Sequence, residues 1–266
     1  MNAPGRAADL GCEVFQMFTR SPQGGAAPVI TPEIGNDFRE EMKKWGQGNC
    51  YIHTPYYINF ASSNKAIRQS SARVVREELE RGSLIGAKHI MTHLGSSKDV
   101  SREEGLKLTA DGIGQVLEGY KGTTKLLLEI SAGAGNVIGD TFEELKYIME
   151  KCGSDNLDIC VDSAHMFASG YDIKTEEGFQ KVVSAIKKTV GLERIKLIHA
   201  NDSKIELGGR KDRHDHIGHG KIGEEGFINL ISAFPGVDLI CETQPDLVRE
   251  DIEKLKQIRY TIKHDK

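Results

Sequence analysis

The chain has 266 residues, with 38% hydrophobic and 28% charged side chains, enough for one large α/β domain with a buried core. A net charge of −4 excludes a protein that holds nucleic acid by bulk positive charge, but not one that concentrates metal charge at one spot. The longest apolar stretches are strand-sized, such as Leu126-Leu127-Leu128, and residues 1–10 lack an apolar signal core. The chain therefore reads as cytoplasmic, without a signal peptide or membrane span.

In chain order, a helix at 3–10 leads into a strand at 13–18, followed by a helix at 32–45 and a strand at 50–53. A helix at 66–85, a strand at 89–94, a helix at 103–117 and a strand at 125–130 come next. The pattern continues with a helix at 142–149, a strand at 157–162, a helix at 176–190 and a strand at 195–199. A helix at 225–234, a strand at 237–242 and a helix at 247–258 complete it. The helical segments carry apolar residues at three and four spacing, and the strands are Val/Ile/Leu-rich on both faces, as buried parallel strands are. Alternation of this kind predicts an α/β fold, a (β/α) TIM-type barrel forming one domain over residues 1–266. Seven strands are legible, one fewer than a closed eight-stranded barrel. The opening helix has no strand before it, which reads either as a shortened N-terminus lacking the usual first strand or as a genuine seven-stranded barrel with exposed sheet edges. The five cysteines, Cys12, Cys50, Cys152, Cys160 and Cys241, form no C-x-x-C pair and read as buried reduced thiols.

Six of the seven predicted strands end in a side chain that can bind a metal: His53, His93, Glu129, Asp162, His199 and Glu242. Their separations of 40, 36, 33, 37 and 43 residues each span about one helix and one strand. Parallel strands of a barrel open their C-terminal ends on one face, so these groups are expected to converge. Two local motifs add three more. Asp162-Ser-Ala-His165 sets a histidine one turn beyond a strand-end aspartate, and Asp212-Arg-His214 sits in a Gly- and charge-rich loop. Five histidines and four carboxylates suit Zn²⁺ without any thiolate, and nine ligands with one shared carboxylate suit three ions better than one. Three Zn²⁺ would move the charge from −4 to +2, since −4 + 6 = +2, and one bound hydroxide would leave +1. Taken singly, a strand-end histidine is usually a hydrogen-bonded structural residue. His89, His216, His219 and His264 read that way or as solvated, and the charged run 73–81 reads as a solvent face.

The stretches His53-Thr-Pro-Tyr56-Tyr-Ile-Asn59, His93-Leu-Gly95, Leu128-Glu129, Asp162-Ser-Ala-His165-Met-Phe-Ala-Ser-Gly170-Tyr-Asp172, His199-Ala-Asn201-Asp202-Ser-Lys204, Asp212-Arg-His214 and Glu242-Thr243 carry a resemblance. Over nearly its whole length the chain resembles the endonuclease IV family of type 2 abasic-site (AP) endonucleases, xylose-isomerase-like barrels that act in base excision repair. The resemblance implies three Zn²⁺, with Glu129 bridging two of them and orienting a metal-bound hydroxide. His53 and His93 would complete the first site. Asp162, His199 and Glu242 would hold the second, and His165, Asp212 and His214 the third. It further implies hydrolysis of the phosphodiester 5′ to an abasic site in double-stranded DNA, leaving a 3′-hydroxyl. The third ion would stabilise the leaving oxygen in place of a general acid. The damaged nucleotide would be turned out of the stack, which costs little when no base is present. The enzyme is expected to act as a monomer, with no membrane partner.

Tyr56, Asn59, Gln23, Lys204 and Arg213 are the expected DNA contacts, and Arg20, Arg210 and Lys211 are further cations that could meet phosphates. The loop 18–25 departs from the family. It offers Gln23 and glycines where an arginine that enters the base stack and an aromatic are usual, and Ile130-Ser131 replaces a polar pair. Those changes bear on DNA bending rather than on metal chemistry. Two other readings compete. One is a xylose-isomerase-like sugar isomerase or epimerase using Glu129, Asp162, His199 and Glu242 around one or two divalent metals. The other is a damaged-DNA binder without turnover.

Overall fold

Side-chain caps set where most helices start. Thr31 accepts from Ile34 N ahead of α2 (Pro32–Lys44), with Pro32 at the first helical position where its missing N–H costs nothing. Asn64 caps α3 (Lys65–Ile85), Ser101 caps α4 (Arg102–Leu117) and Thr175 caps α7 (Glu176–Lys188) in the same way. In a computed structural model that describes residues 2–264, the chain forms two compact units. The first comprises 1–129, 136–138 and 144–159; the second comprises 130–135, 139–143 and 160–266.

The first unit opens with α1 (Ala3–Asp9), followed by the parallel strands β1 (Phe15–Met17), β2 (Cys50–His53), β3 (His89–Thr92) and β4 (Lys125–Glu129). Register pairs Phe15 with Cys50, Ile52 with Ile90, and Ile90 with Leu126, so neighbouring strands advance in step. Ile52, Ile90, Met91, Leu126, Leu127 and Leu128 are all fully buried. Burying side chains of this size contributes roughly 1.5–3 kcal/mol each. Helices α2, α3 and α4 pack in sequence order, and α5 (Phe142–Cys152) follows β4.

Strand β5 (Leu157–Asp162) runs through both units, its first three residues in the first and its last three in the second. Beyond it lie β6 (Ile195–His199) and β9 (Asp238–Ile240), paired in parallel with Leu197 opposite Asp238. The sheet order is β1-β2-β3-β4-β5 on one side of β5 and β5-β6-β9 on the other. The main sheet thus has seven strands among the described residues, as the alternation predicts. The second unit also holds α6 (Ser163–Ser169), α7, α8 (Gly223–Ala233) and α9 (Val248–His264). A small antiparallel pair of β7 (Asp202–Ser203) with β8 (His214–Asp215) completes it.

Several expectations change. Strands β3 and β9 are shorter than predicted, so His93 follows its strand by one residue and Glu242 by two. Helix α6 and the β7–β8 pair were not foreseen. Seven residues are too few to show a period, and α6 exists because Asp162 caps it and residues Ser163 to Ala168 are buried. No cysteine among the described residues is in a disulfide, but only Cys50 and Cys160 are buried; the other three are half-buried. The run 73–81 is not a plain solvent face, because Val74, Val75, Glu78 and Leu79 lie inside. No helix among the described residues is long and apolar enough to cross a membrane.

Candidate metal centre

In the first unit the last residues of β2 and β4, together with the residue after β3, come together. His53 Nε2 stands 3.4 Å and His93 Nε2 3.2 Å from Glu129 Oε2. His53 and Glu129 are buried, and His93 is one-third exposed. The Nδ1–H of His53 donates to Thr54 O at 2.6 Å, which fixes the tautomer and turns Nε2 toward Glu129. The histidine rings meet edge to face at 5.0 Å, and Phe18 and Tyr56 flank His53 at 5.4 and 5.5 Å. The loop after His93 is set by Gly95, at φ 94°. A Cβ there would lie 2.6 Å from Asn59 Cα, so only glycine permits the close approach.

The second unit holds the remaining expected ligands. Asp162 ends β5, and its Oδ1 accepts from His165 N at 2.8 Å, so one carboxylate both caps α6 and aims Oδ2 elsewhere. Gly170, at φ 103°, closes that helix. His165 donates Nδ1–H to Ile130 O at 2.9 Å, and its Nε2 lies 3.2 Å from Asp212 Oδ2. His214 Nε2 lies 3.1 Å from Asp212 Oδ1 and 3.7 Å from Asp162 Oδ2. His199 presents Nδ1, 3.2 Å from Glu242 Oε2 and 3.9 Å from Asp162 Oδ2. The atoms of Asp162, His165 and His214 fall within 4.8 Å of one another, as do those of Asp162, His199 and Glu242, and those of His53, His93 and Glu129.

The electrostatics of the second unit call for positive charge. Burial opposes ionisation of Asp212, but hydrogen bonds from His165 and His214 outweigh it and hold this carboxyl far below its usual range. Burial likewise works against a proton on His214, yet the charge of Asp162 and the bond to Asp212 win and push it up to about 9. Without metal, a proton on His214 supplies the cation that the carboxylates favour.

Sequence reasoning assigned no role to Asn201. It is fully buried, donates Nδ2–H to Asp162 Oδ2 at 2.7 Å and accepts from Glu242 N at 2.7 Å, which aligns two candidate ligands. Its motif is part of the resemblance, but nothing local says that an amide after β6 reaches the end of β5 and the segment after β9. Asp202 was missed for the same reason. It is buried and accepts from the backbone N–H of Ser203, Gly218, Ile222 and Gly223, closing the loop that carries Asp212 and His214.

The expected DNA contacts divide. Tyr56 is 59% exposed beside His53 and His93, and its N–H donates to Pro22 O, which places the loop of Gln23 alongside. Asn59 is committed to the fold, its Oδ1 accepting from Ala61 N and Ser96 N. Lys204 and Arg213 are exposed neighbours just beyond the β7–β8 pair, joined by Lys204 N to Arg213 O at 3.0 Å. Arg20 is not available to phosphates: it is buried against Glu78 at 2.6 Å and Glu77 at 2.8 Å. Arg210 pairs with buried Asp140 at 2.6 Å, while Lys211 is exposed. His216 is not merely solvated, since its Nδ1–H donates to Asp251 at 2.7 Å.

Residues 4–258 match the family described as "Xylose isomerase-like TIM barrel", which defines the class of fold that carries these ligand groups. Among curated relatives, the "Probable endonuclease 4" of Aquifex aeolicus is 43% identical over 85% of this chain and 80% of its own length. The protein of the same description from Methanoculleus marisnigri is 36% identical over 97% and 93%. The crystal structure of endonuclease IV from Thermus thermophilus superposes with a TM-score of 0.84 at 29% identity, covering 98% of this chain and 93% of that one. A D-tagatose 3-epimerase-like protein, at 19% identity and TM-score 0.74 over 98% and 93%, shares the fold alone. The chain belongs to the endonuclease IV family, and it is an enzyme, a DNA-cleaving nuclease of DNA repair.

Proposed function

We propose that this nuclease is a three-zinc AP endonuclease, acting as a monomer on double-stranded DNA and hydrolysing the phosphodiester 5′ to an abasic site. One observation carries the reading: each of the nine expected ligands stands 3.7 Å or less from another on its own unit. The donor set fits Zn²⁺, being imidazole and carboxylate with two imidazoles oriented by backbone carbonyls, the usual second partner of a metal-binding histidine. His53, His93 and Glu129 would hold one ion, Asp162, His199 and Glu242 a second, and His165, Asp212 and His214 a third, with Glu129 shared between the first two. Bound ions supply Lewis acidity, an activated water and neutralisation of phosphodiester charge. Around them, Asn201 keeps Asp162 and Glu242 in register, Tyr56 offers an exposed ring beside the first group, and Lys204 and Arg213 offer cations for backbone phosphates. Metal analysis of the purified protein tests the reading. Three zinc ions per chain are expected, whereas one Mn²⁺ or Mg²⁺ would favour a sugar isomerase.

Zinc affinity is expected to depend on pH through His214. A group raised in the folded state stabilises the metal-free fold fully below its unfolded value near 6.5, and this is lost as pH rises through about 9. Zinc must displace that proton, so affinity for the third site should rise about tenfold per pH unit from 7 toward 9. Competitive chelator titration measures this, and a flat profile for all three ions would place His214 outside the ligand set.

The loop at Gln23 leads to a second expectation. Gln23→Arg should tighten binding to an abasic-analogue duplex about tenfold, the order of one charge-assisted hydrogen bond. It should also steepen the salt slope by about 0.9 for one more phosphate contact. Fluorescence anisotropy across a salt series reads both. Unchanged affinity and slope would mean that the loop does not reach DNA.

A further inference from the structure

The loop carrying Asp212 and His214 is clamped on both sides, two residues before the first ligand and two residues after the second. On the near side, Arg210 Nη2 donates to Asp140 Oδ2 at 2.6 Å, and Asp140 is 4% exposed. Arg210 has φ 52°, the only positive φ on a non-glycine residue among those described, and its N–H donates to Ala168 O at 2.9 Å. Such a conformation persists where its surroundings over-determine it. Gly133 makes room for the guanidinium, since a Cβ there would stand 3.1 Å from Arg210 Nη2 and 2.9 Å from Asp140 Oδ2.

On the far side, buried Asp251 of α9 accepts from His216 Nδ1 at 2.7 Å, from Ile217 N at 2.8 Å and from Thr243 Oγ1 at 2.6 Å. Thr243 directly follows Glu242, so one carboxylate anchors the loop of the third ligand group and the segment of the second. His216 Nε2 also lies 3.2 Å from Asp246 Oδ1. Neither Asp140 nor Asp251 belongs to the nine ligands, and their partners Arg210 and His216 lie on the loop itself.

We infer that the pairs Asp140–Arg210 and Asp251–His216 are positioning clamps that hold Asp212 and His214 in place before metal arrives. The inference rests on the reading that Asp212 and His214 are metal ligands. A surface loop would otherwise lose backbone freedom when it closes on an ion, and that loss would weaken binding. Clamping both shoulders to buried carboxylates moves the loss into folding.

The test is zinc titration of the metal-free protein against a chromophoric chelator, with a thermal melt to establish folding. Wild type should take up three ions. The Asp140→Asn/Asp251→Asn double variant should bind the ion of the Asp212–His214 group roughly 10- to 100-fold more weakly, with a smaller loss at the Glu242 group through Thr243 and none at the His53–His93–Glu129 group. Where that variant fails to fold without metal, Arg210→Gln and His216→Gln approach the same bonds from the loop side. Arg210→Lys, which keeps a cation opposite Asp140, should recover most of the affinity lost in Arg210→Gln; equal loss in both would overturn the near clamp. Three ions held at wild-type affinity in the folded double variant, or in both loop-side variants, would overturn the inference while leaving the three-zinc reading intact. Fewer than three ions in wild type would instead remove the reading on which it rests.

Discussion

Glu129→Gln is expected to lower kcat/KM on an abasic-analogue duplex by roughly 10³-fold or more, a loss of about 4 kcal/mol in transition-state stabilisation. The side chain is 0% exposed, and its Oε2 faces both His53 Nε2 at 3.4 Å and His93 Nε2 at 3.2 Å. Glutamine keeps the shape and removes the charge. Rotated one way it offers a weaker neutral oxygen, and rotated the other it points an NH₂ at two imidazole nitrogens meant for a cation. If Glu129 is shared by two ions, both sites weaken together, so zinc content should fall by more than one ion per chain. Activity within a few-fold of wild type would exclude the shared role. A full loss of activity with only one ion missing would confine Glu129 to the group it forms with His53 and His93.

A second large effect is expected at a residue outside the nine candidate ligands. Arg20→Ala should destabilise the protein by about 3–5 kcal/mol, lowering Tm by roughly 6–20 °C for a chain of this size. Arg20 donates to Glu78 at 2.6 Å and to Glu77 at 2.8 Å, and the Glu78 side chain is 0% exposed. Arg81 lies 3.4 Å from Glu78, but its guanidinium is already bonded to Thr19 and to Pro28 O. Removing Arg20 therefore leaves the buried Glu78 carboxylate with only the hydroxyl of Thr19 and the more distant Arg81. Arg20→Ala/Glu78→Leu should regain much of the loss, because no uncompensated charge remains inside. A denaturant-unfolding cycle over the four proteins reads the coupling directly. A single-variant loss below about 1 kcal/mol, or no recovery in the double, would show that the pair does not hold the loop after β1 to α3.

Local pattern carried most of the architecture. Apolar spacing reports which faces of a segment are buried, so β2, β5 and β6 were bounded correctly from sequence, and the other four strands differed only at their ends. The nine candidate residues that gather in these groups were also legible, six from recurrence of His or carboxylate at one strand end and three from the Asp162–His165 and Asp212–His214 motifs, because both signals depend on residue type and spacing alone. What sequence left open is what each polar group touches. Glu78 sits in a charged helical run that reads as solvent face, and its burial is explained by Arg20, 58 residues away, together with Thr19 and Arg81. His216 looks like a loop histidine until Asp251, 35 residues on, lies against it. Asn201 looks like any amide until it meets Asp162 and Glu242. Periodicity encodes exposure along one element, whereas a buried charge or amide is stable only through partners that the tertiary fold brings from elsewhere in the chain.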